Sequence, residues 1–360
     1  MDTVLGRGKF GEVRLGEWWG TTVAVKFLHN FDLEENADLF RKEIEVMKEL
    51  HHPHIVQFLG FSKRTTQGDA PVILMEYCLN GSVEDYLLKH DSSVGLNMRV
   101  RWASQMAQAL AYLHNRKPDY LIHRDLKPQN FMLTPSLQCK IGDFGISRLF
   151  QAAGGVVPSI DVEIVAPTPT PSPRKSVSQR FSAAMSPRLF SEDNFSELDQ
   201  TSNVGTARYM APEVYNRGNG ANAKYGVKAD VFSVGMVLYF VFEGVAPRVP
   251  GGGKPETHFA ALAQGTRPVY AKTKPELQRV IDQCLRFRAL ERPSSAELVK
   301  LLKPLQLKHR HKGGGLFGCA GGGSSEAAGE LKSAVAEAEK VLVEVDERLG
   351  KQASSDDLRR

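Results

Sequence analysis

The sequence predicts an α+β chain, and three patterns carry that prediction. Glu12 to Lys26 alternate, with Val13, Leu15, Val23 and Val25 spaced for strand, turn and strand. Leu33 to Leu50 place Leu39, Phe40, Ile44, Met47 and Leu50 on one helical face, and Arg99 to Asn115 repeat that spacing with Val100, Ala103, Met106, Ala107, Leu110 and Leu113. Val231 to Phe242, apolar and set between Asp230 and Glu243, falls short of the ~20 residues that span a bilayer and reads as a buried helix.

The chain has 360 residues, 42% hydrophobic and 24% charged, which suits a soluble globular protein with room for a large core. A formal net charge of +5 is too small to argue for nucleic acid or a membrane surface as partner. Cys78, Cys139, Cys284 and Cys319 are scattered and form no CxxC pair, which favours unpaired thiols in a reducing compartment. Gly, Arg and Lys stand where a signal peptide would need an apolar run, so a cytoplasmic location without a membrane span is expected.

Leu5 to Val13 carry glycines at 6, 8 and 11, a spacing that lets backbone approach a phosphate closely. By itself this is a weak signal, equally compatible with a plain Gly-rich hairpin; a dinucleotide fold would place a helix next, where this sequence alternates. Lys26, in Val23-Ala24-Val25-Lys26, sits among apolar residues that fit poorly with a merely solvated lysine. His51, His52 and His54 suggest a turn into a strand at Ile55 to Leu59 more than a metal site. Val72 to Met75 read as an apolar strand running into Glu76-Tyr77-Cys78.

His123-Arg124-Asp125-Leu126-Lys127-Pro128-Gln129-Asn130 reads as a loop with one carboxylate, one amine and one carboxamide, followed by a second carboxylate in Asp143-Phe144-Gly145. Phosphoryl transfer needs such a set, because its catalysis is mostly positioning and charge neutralisation. With the Gly-rich stretch and Lys26, these motifs resemble those of eukaryotic protein kinases, over roughly residues 4 to 303. Lys127 in its place after Asp125, and Gly205-Thr206-Ala207-Arg208-Tyr209-Met210-Ala211-Pro212-Glu213, resemble the serine/threonine type. Trp18-Trp19 and Asp230-Val231-Phe232-Ser233 look closest to the tyrosine-kinase-like branch that includes Raf and plant relatives.

The resemblance implies a two-lobed protein kinase fold: a small antiparallel β lobe with one helix over residues 1–76, and a larger, mostly helical lobe over 77–304, with ATP and Mg²⁺ between them. It implies Asp125 as base, Lys127 as neutraliser of the transferred phosphate, and Asn130 and Asp143 as metal ligands. Lys26 would bind the nucleotide phosphates and pair with Glu43, although Glu45 and Glu49 compete on the same helix. Leu5, Gly6, Gly8, Gly11, Val13, Ala24, Met75 as gatekeeper, Glu76 and Cys78 would line the ATP site; Cys78 is also readable as an ordinary half-buried thiol. Thr201 and Ser202 are phosphosite candidates read by Arg124, through an upstream kinase or autophosphorylation. Thr206, Glu213, Asp230 and Arg292 would support the site, Arg292 by pairing with Glu213. The substrate would be a protein serine or threonine in intracellular signalling. A pseudokinase scaffold is the rival from another class, opposed by the presence of Lys26, Glu43, Asp125, Asn130 and Asp143. A tyrosine or dual-specificity kinase is opposed by Lys127 and the Gly205 to Met210 pattern.

Three features depart from the family. The chain starts close to Gly6, so its first strand looks truncated. An insert near 151–200, with Pro167 to Lys175 rich in Pro, Thr and Ser, has a composition expected to be disordered; Thr168, Thr170, Ser172 and Ser186 each precede proline and suit a proline-directed kinase. A basic and Gly-rich linker is expected over 305–325, then a short amphipathic helix over 326–360. Its seam of Leu331, Val335, Ala338, Leu342, Val345 and Leu349 would pack on the kinase domain, or serve a dimer or partner helix through 331–349.

Overall fold

The computed structural model describes residues 3–8, 11–28, 34–62, 71–145, 147–151, 207–215, 226–252, 254–310 and 324–357. The alternating amino-terminal residues form β1 (Val4–Gly8), β2 (Gly11–Trp18) and β3 (Thr21–Leu28). With β4 (Phe58–Ser62) and β5 (Val72–Glu76) they make an antiparallel sheet in the order β1-β2-β3-β5-β4. At the β2–β3 turn Trp19 and Gly20 take φ of 51° and 75°, the left-handed pair that suits the twist of a tight hairpin. The two faces of β3 divide by alternation: Val23 and Val25 pack with Val72, while Ala24 joins the main core on the side of Lys26.

β1 pairs with β2 from Val4↔Arg14 to Gly8↔Gly11. One expectation about strands is corrected. The strand expected at Ile55 to Leu59 begins only at Phe58, because the preceding backbone is engaged elsewhere. Val56 donates its N–H to Ile141 O at 2.8 Å and Ile141 donates to His54 O at 2.9 Å, tying this segment to the large lobe.

One helix, α1 (Glu34–Lys48), accompanies the sheet and buries Phe40, Ile44 and Met47. The large lobe holds α2 (Val83–His90), α3 (Leu96–Asn115), α4 (Pro212–Tyr215), α5 (Val227–Glu243), α6 (Pro255–Ala263), α7 (Pro275–Cys284), α8 (Ser295–Arg310) and α9 (Ser324–Asp357). α5 is apolar almost all round and buried almost throughout, as such a helix must be. Gly235 lets α7 approach it: a Cβ there would lie 2.6 Å from Cys284 Cβ. Two short ribbons, β6 (Asp119–Ile122) with β9 (Arg148–Gln151) and β7 (Phe131–Leu133) with β8 (Cys139–Ile141), frame the loops between the lobes. Among the described residues, no helix is long and apolar enough to cross a membrane.

The carboxy-terminal expectations also change. Residues 305–310 are not linker: Leu305 and Leu307 are buried, and that packing carries α8 past Pro304 to Arg310. The last helix is 34 residues long and starts at Ser324. It packs on α8 with Ala334, Ala338, Val341 and Val345 buried, so its apolar stripe is turned away from Val335, which is 38% exposed. Of the uses expected for this seam, packing on the kinase domain is the one the described residues show.

Candidate active site

The loop between β6 and β7 carries Asp125, Lys127 and Asn130, and the turn after β8 carries Asp143. What fixes the loop is Asp230, fully buried in the first turn of α5. Its carboxylate accepts the N–H of His123 at 2.7 Å and of Arg124 at 2.9 Å, and pairs with His114 Nε2 at 3.1 Å. His123, buried and 5.0 Å from the Phe144 ring, bonds Gly142 O through Nε2 at 3.0 Å. The two carboxylate-bearing segments are thereby joined. Arg124 and Asp143 have φ of 73° and 59°, left-handed conformations that cost non-glycine residues about 1–3 kcal/mol each and persist where surroundings enforce them.

Three charges converge beside this loop. Lys26 Nζ lies 2.6 Å from Glu43 Oε1 and 3.0 Å from Asp143 Oδ1. Glu43 is the partner, whereas Glu49 pairs with Arg116 at 2.9 Å. Burial works against the Lys26 ammonium, but the charges of Asp143 and Glu43 outweigh it and hold its pKa above the usual range. Burial would raise Asp143, yet the adjacent Lys26 holds it below the usual carboxylate range. Burial pushes Glu43 up against the pull of Lys26. Asp143 is closely surrounded but open on one side, its side chain 46% exposed, as an ion ligand must be. A Cβ on Gly145 would sit 3.4 Å from Glu43 Oε2 and 3.5 Å from Lys26 Nζ, in ordinary contact with the cluster.

Asp125 is held by its neighbours. Lys127 Nζ donates to Oδ2 at 2.7 Å, and Asn130 Nδ2 donates to Oδ2 at 3.1 Å and to the Asp125 carbonyl at 2.7 Å. A Cβ on Gly6 would meet no atom within 4 Å. Leu5 is 40% exposed, Val13 half-buried, and Ala24 and Met75 buried. Gly8 and Gly11 pair where β1 meets β2. The Glu76 carboxylate accepts from Lys140 at 2.7 Å and from the Gln57 N–H at 3.2 Å, and the Glu76 N–H donates to Gln57 O at 2.9 Å. Cys78 accepts the Gly81 N–H at 3.0 Å, and burial pushes its thiol up to about 12.

The donor set fits Mg²⁺ and ATP. Asp143 and Asn130 offer hard oxygens, and among the described residues no group of three or more His, Cys, Asp or Glu could hold a metal. Mg²⁺ commonly takes one or two carboxylates and completes its shell with phosphates and water. The histidines at 51, 52 and 54 form no such centre: His52 stacks on Tyr112 at 4.9 Å and its Nδ1 accepts the His54 N–H at 3.1 Å.

A family model described as "Protein tyrosine and serine/threonine kinase" matches residues 1–159, and one described as "Protein kinase domain" matches residues 188–302. The chain belongs to the protein kinase family. It is 29% identical over 309 residues to Serine/threonine-protein kinase VIK of Arabidopsis thaliana, covering 84% of this chain and 59% of that protein. It is 29% identical over 309 residues to Serine/threonine-protein kinase 12 of the same plant, with 84% and 56% covered. With Seven transmembrane domain-containing tyrosine-protein kinase 1 of Dictyostelium discoideum it shares 29% over 311 residues, covering 83% of this chain and 37% of that protein. The chain thus spans only part of these relatives.

The kinase fold also places the supporting residues. Arg292 reaches both oxygens of Glu213, at 2.6 and 2.8 Å. Thr201, Ser202 and Thr206 lie outside the described residues, as does nearly all of the 151–200 insert. Sequence reasoning did not find His114 or Lys140. His114 follows Leu110 by one helical turn and so shares its buried face, but only the fold puts Asp230 opposite it.

Proposed function

We propose that this kinase transfers the γ-phosphoryl group of ATP to serine or threonine hydroxyls of protein substrates, with Mg²⁺. The observation that carries the reading is the convergence of Lys26 on Glu43 and Asp143. ATP supplies the phosphoryl group when bound, and the side chains do the positioning. Lys26, fixed by Glu43, holds phosphate oxygens, while Asp143 and Asn130 hold the metal. Asp125 orients the incoming hydroxyl and accepts its proton. Lys127, already 2.7 Å from Asp125, neutralises charge on the group in transit. That placement of Lys127 supports serine or threonine as acceptor. Phosphate on Thr201 or Ser202, read by Arg124, belongs to the same reading as its control. The free, buried thiols of Cys78, Cys139 and Cys284 support a reducing, cytoplasmic setting.

A peptide array with Mg²⁺-ATP tests the proposal by comparing wild type with Asp143→Ala. Phosphate should appear on serine and threonine peptides with wild type and be lost with the variant. Equal labelling by both proteins, or labelling confined to tyrosine, contradicts it.

A further inference from the structure

The long carboxy-terminal helix is absorbed neither by the phosphoryl-transfer site nor by the nucleotide cradle. Its buried residues Ala334, Ala338, Val341 and Val345 lie where α9 packs on α8, and Glu337 pairs with Lys300 of α8 at 3.2 Å. The same helix touches the short turn Ala289–Glu291. The next residue is Arg292, fully buried, whose guanidinium lies 4.9 Å from the Phe232 ring centre. Besides Glu213 it donates to the carbonyls of Arg286 at 2.7 Å, Phe287 at 2.9 Å and Lys228 at 2.9 Å. Two of those carbonyls belong to the chain leading into the turn, so the turn's shape and the guanidinium's position are set together. Glu213 is the second residue of α4, which opens at Pro212 directly after Arg208 to Ala211. α9 thus runs beside the turn that leads into Arg292, and Arg292 bonds Glu213 in residues 207–215.

We propose that α9 is a positioning brace for the peptide-binding side of the site, holding the 289–291 turn and through it the Arg292–Glu213 pair. This rests on the proposed transfer to protein substrates and on the kinase resemblance of Gly205 to Glu213, which implies that this segment seats the substrate peptide. The main contacts of α9 are with α8 and the 289–291 turn, so its effect falls on the seat and not on the nucleotide. A helix that merely adds stability would loosen the whole molecule when unseated. A brace loosens one segment.

The test uses the full chain carrying Val345→Asp, with Val72→Ala in β5 as a comparison that destabilises a different cluster. Amide hydrogen exchange and kinetics are read on both. The brace predicts faster exchange over 207–215 and 286–292 in Val345→Asp, beyond that in Val72→Ala, with β3 unaffected. Peptide kcat/KM should fall about 2- to 30-fold, the range of coupling seen for mutations that touch neither ligand, while KM for ATP stays constant. Lys300→Glu, which only repels Glu337, should give a weaker form of the same pattern and serves if Val345→Asp fails to fold. Exchange over 207–215 no faster than in Val72→Ala overturns the brace. If wild type phosphorylates no peptide, the phosphoryl-transfer reading fails, and the exchange data still decide the brace.

Discussion

Arg292 illustrates how much one buried cation can organise. Its side chain has no solvent exposure, while that of Glu213 is 23% exposed. Removing one member of a fully buried pair costs about 3–5 kcal/mol. Here Arg292 keeps its carbonyl partners when Glu213 is lost, and water can reach the vacated side. Glu213→Ala should therefore cost about 1.5–3 kcal/mol, the scale of hydrogen bonds to a charged group. Urea unfolding measures this, and a change below about 0.5 kcal/mol would mean the pair is idle. The pairing itself was expected from the kinase resemblance. Periodicity alone could not select Glu43 over Glu45 and Glu49, because all lie in the stretch 33–50 that reads as helical; burial decides, and Glu43 is the buried one at 4% exposed. His114 was not legible, since its role exists only through Asp230, far away in the chain.

At the scale of elements, the end of α5 carries a second anchor. Glu243 is buried and accepts the N–H groups of Ala271 at 3.0 Å, Lys272 at 3.1 Å and Thr273 at 2.9 Å, together with the Thr273 hydroxyl. Burial alone would raise its pKa; the hydroxyl and amide donors outweigh it and hold Glu243 below its usual range. A folded-state pKa below the unfolded one contributes stability above the unfolded value, about 4.3, and loses it as pH falls through the folded value. Glu243→Gln should thus be less stable than wild type at pH 7 by about 1.5–3 kcal/mol, with the gap narrowing below pH about 4. Thermal melts across that range decide it, and a gap independent of pH would contradict the charge as its source. No pattern in the sequence links residue 243 to 271–273. The α5 helix itself was legible, because an unbroken apolar run too short for a membrane has few other uses. The stripe on α9 was legible as a seam but not in phase: Val335 and Ala334 are neighbours on the helix, and only the shape of α8 selects Ala334.

For the whole molecule, the two lobes were expected from motifs that carry chemistry, while the insert expected from the spacing between motifs lies almost wholly outside the described residues. β9 ends at Gln151 and the described chain resumes at Ala207. Loop closure adds free energy only slowly with length, so replacing residues 155–195 with a short Gly-Ser linker should shift Tm by no more than a few degrees. A collapse of the fold on that deletion would show that the segment packs. The extent of α8 was misjudged for a related reason: Pro304 and the basic run after Leu307 look like an ending, and only burial of Leu305 and Leu307 reveals a helix that continues.

The central claim is that Asp125, held by Lys127 and Asn130, is the base of a phosphoryl transfer whose nucleotide is bound by other residues. The most direct measurement is the initial rate of phosphate transfer to a serine/threonine peptide at saturating Mg²⁺-ATP by wild type and Asp125→Asn, with nucleotide affinity measured on both. The account predicts a rate lower by about 10²–10⁴ in the variant, with the Kd for ATP unchanged. A variant turning over like wild type, or one whose loss is explained by failure to bind ATP, would contradict it.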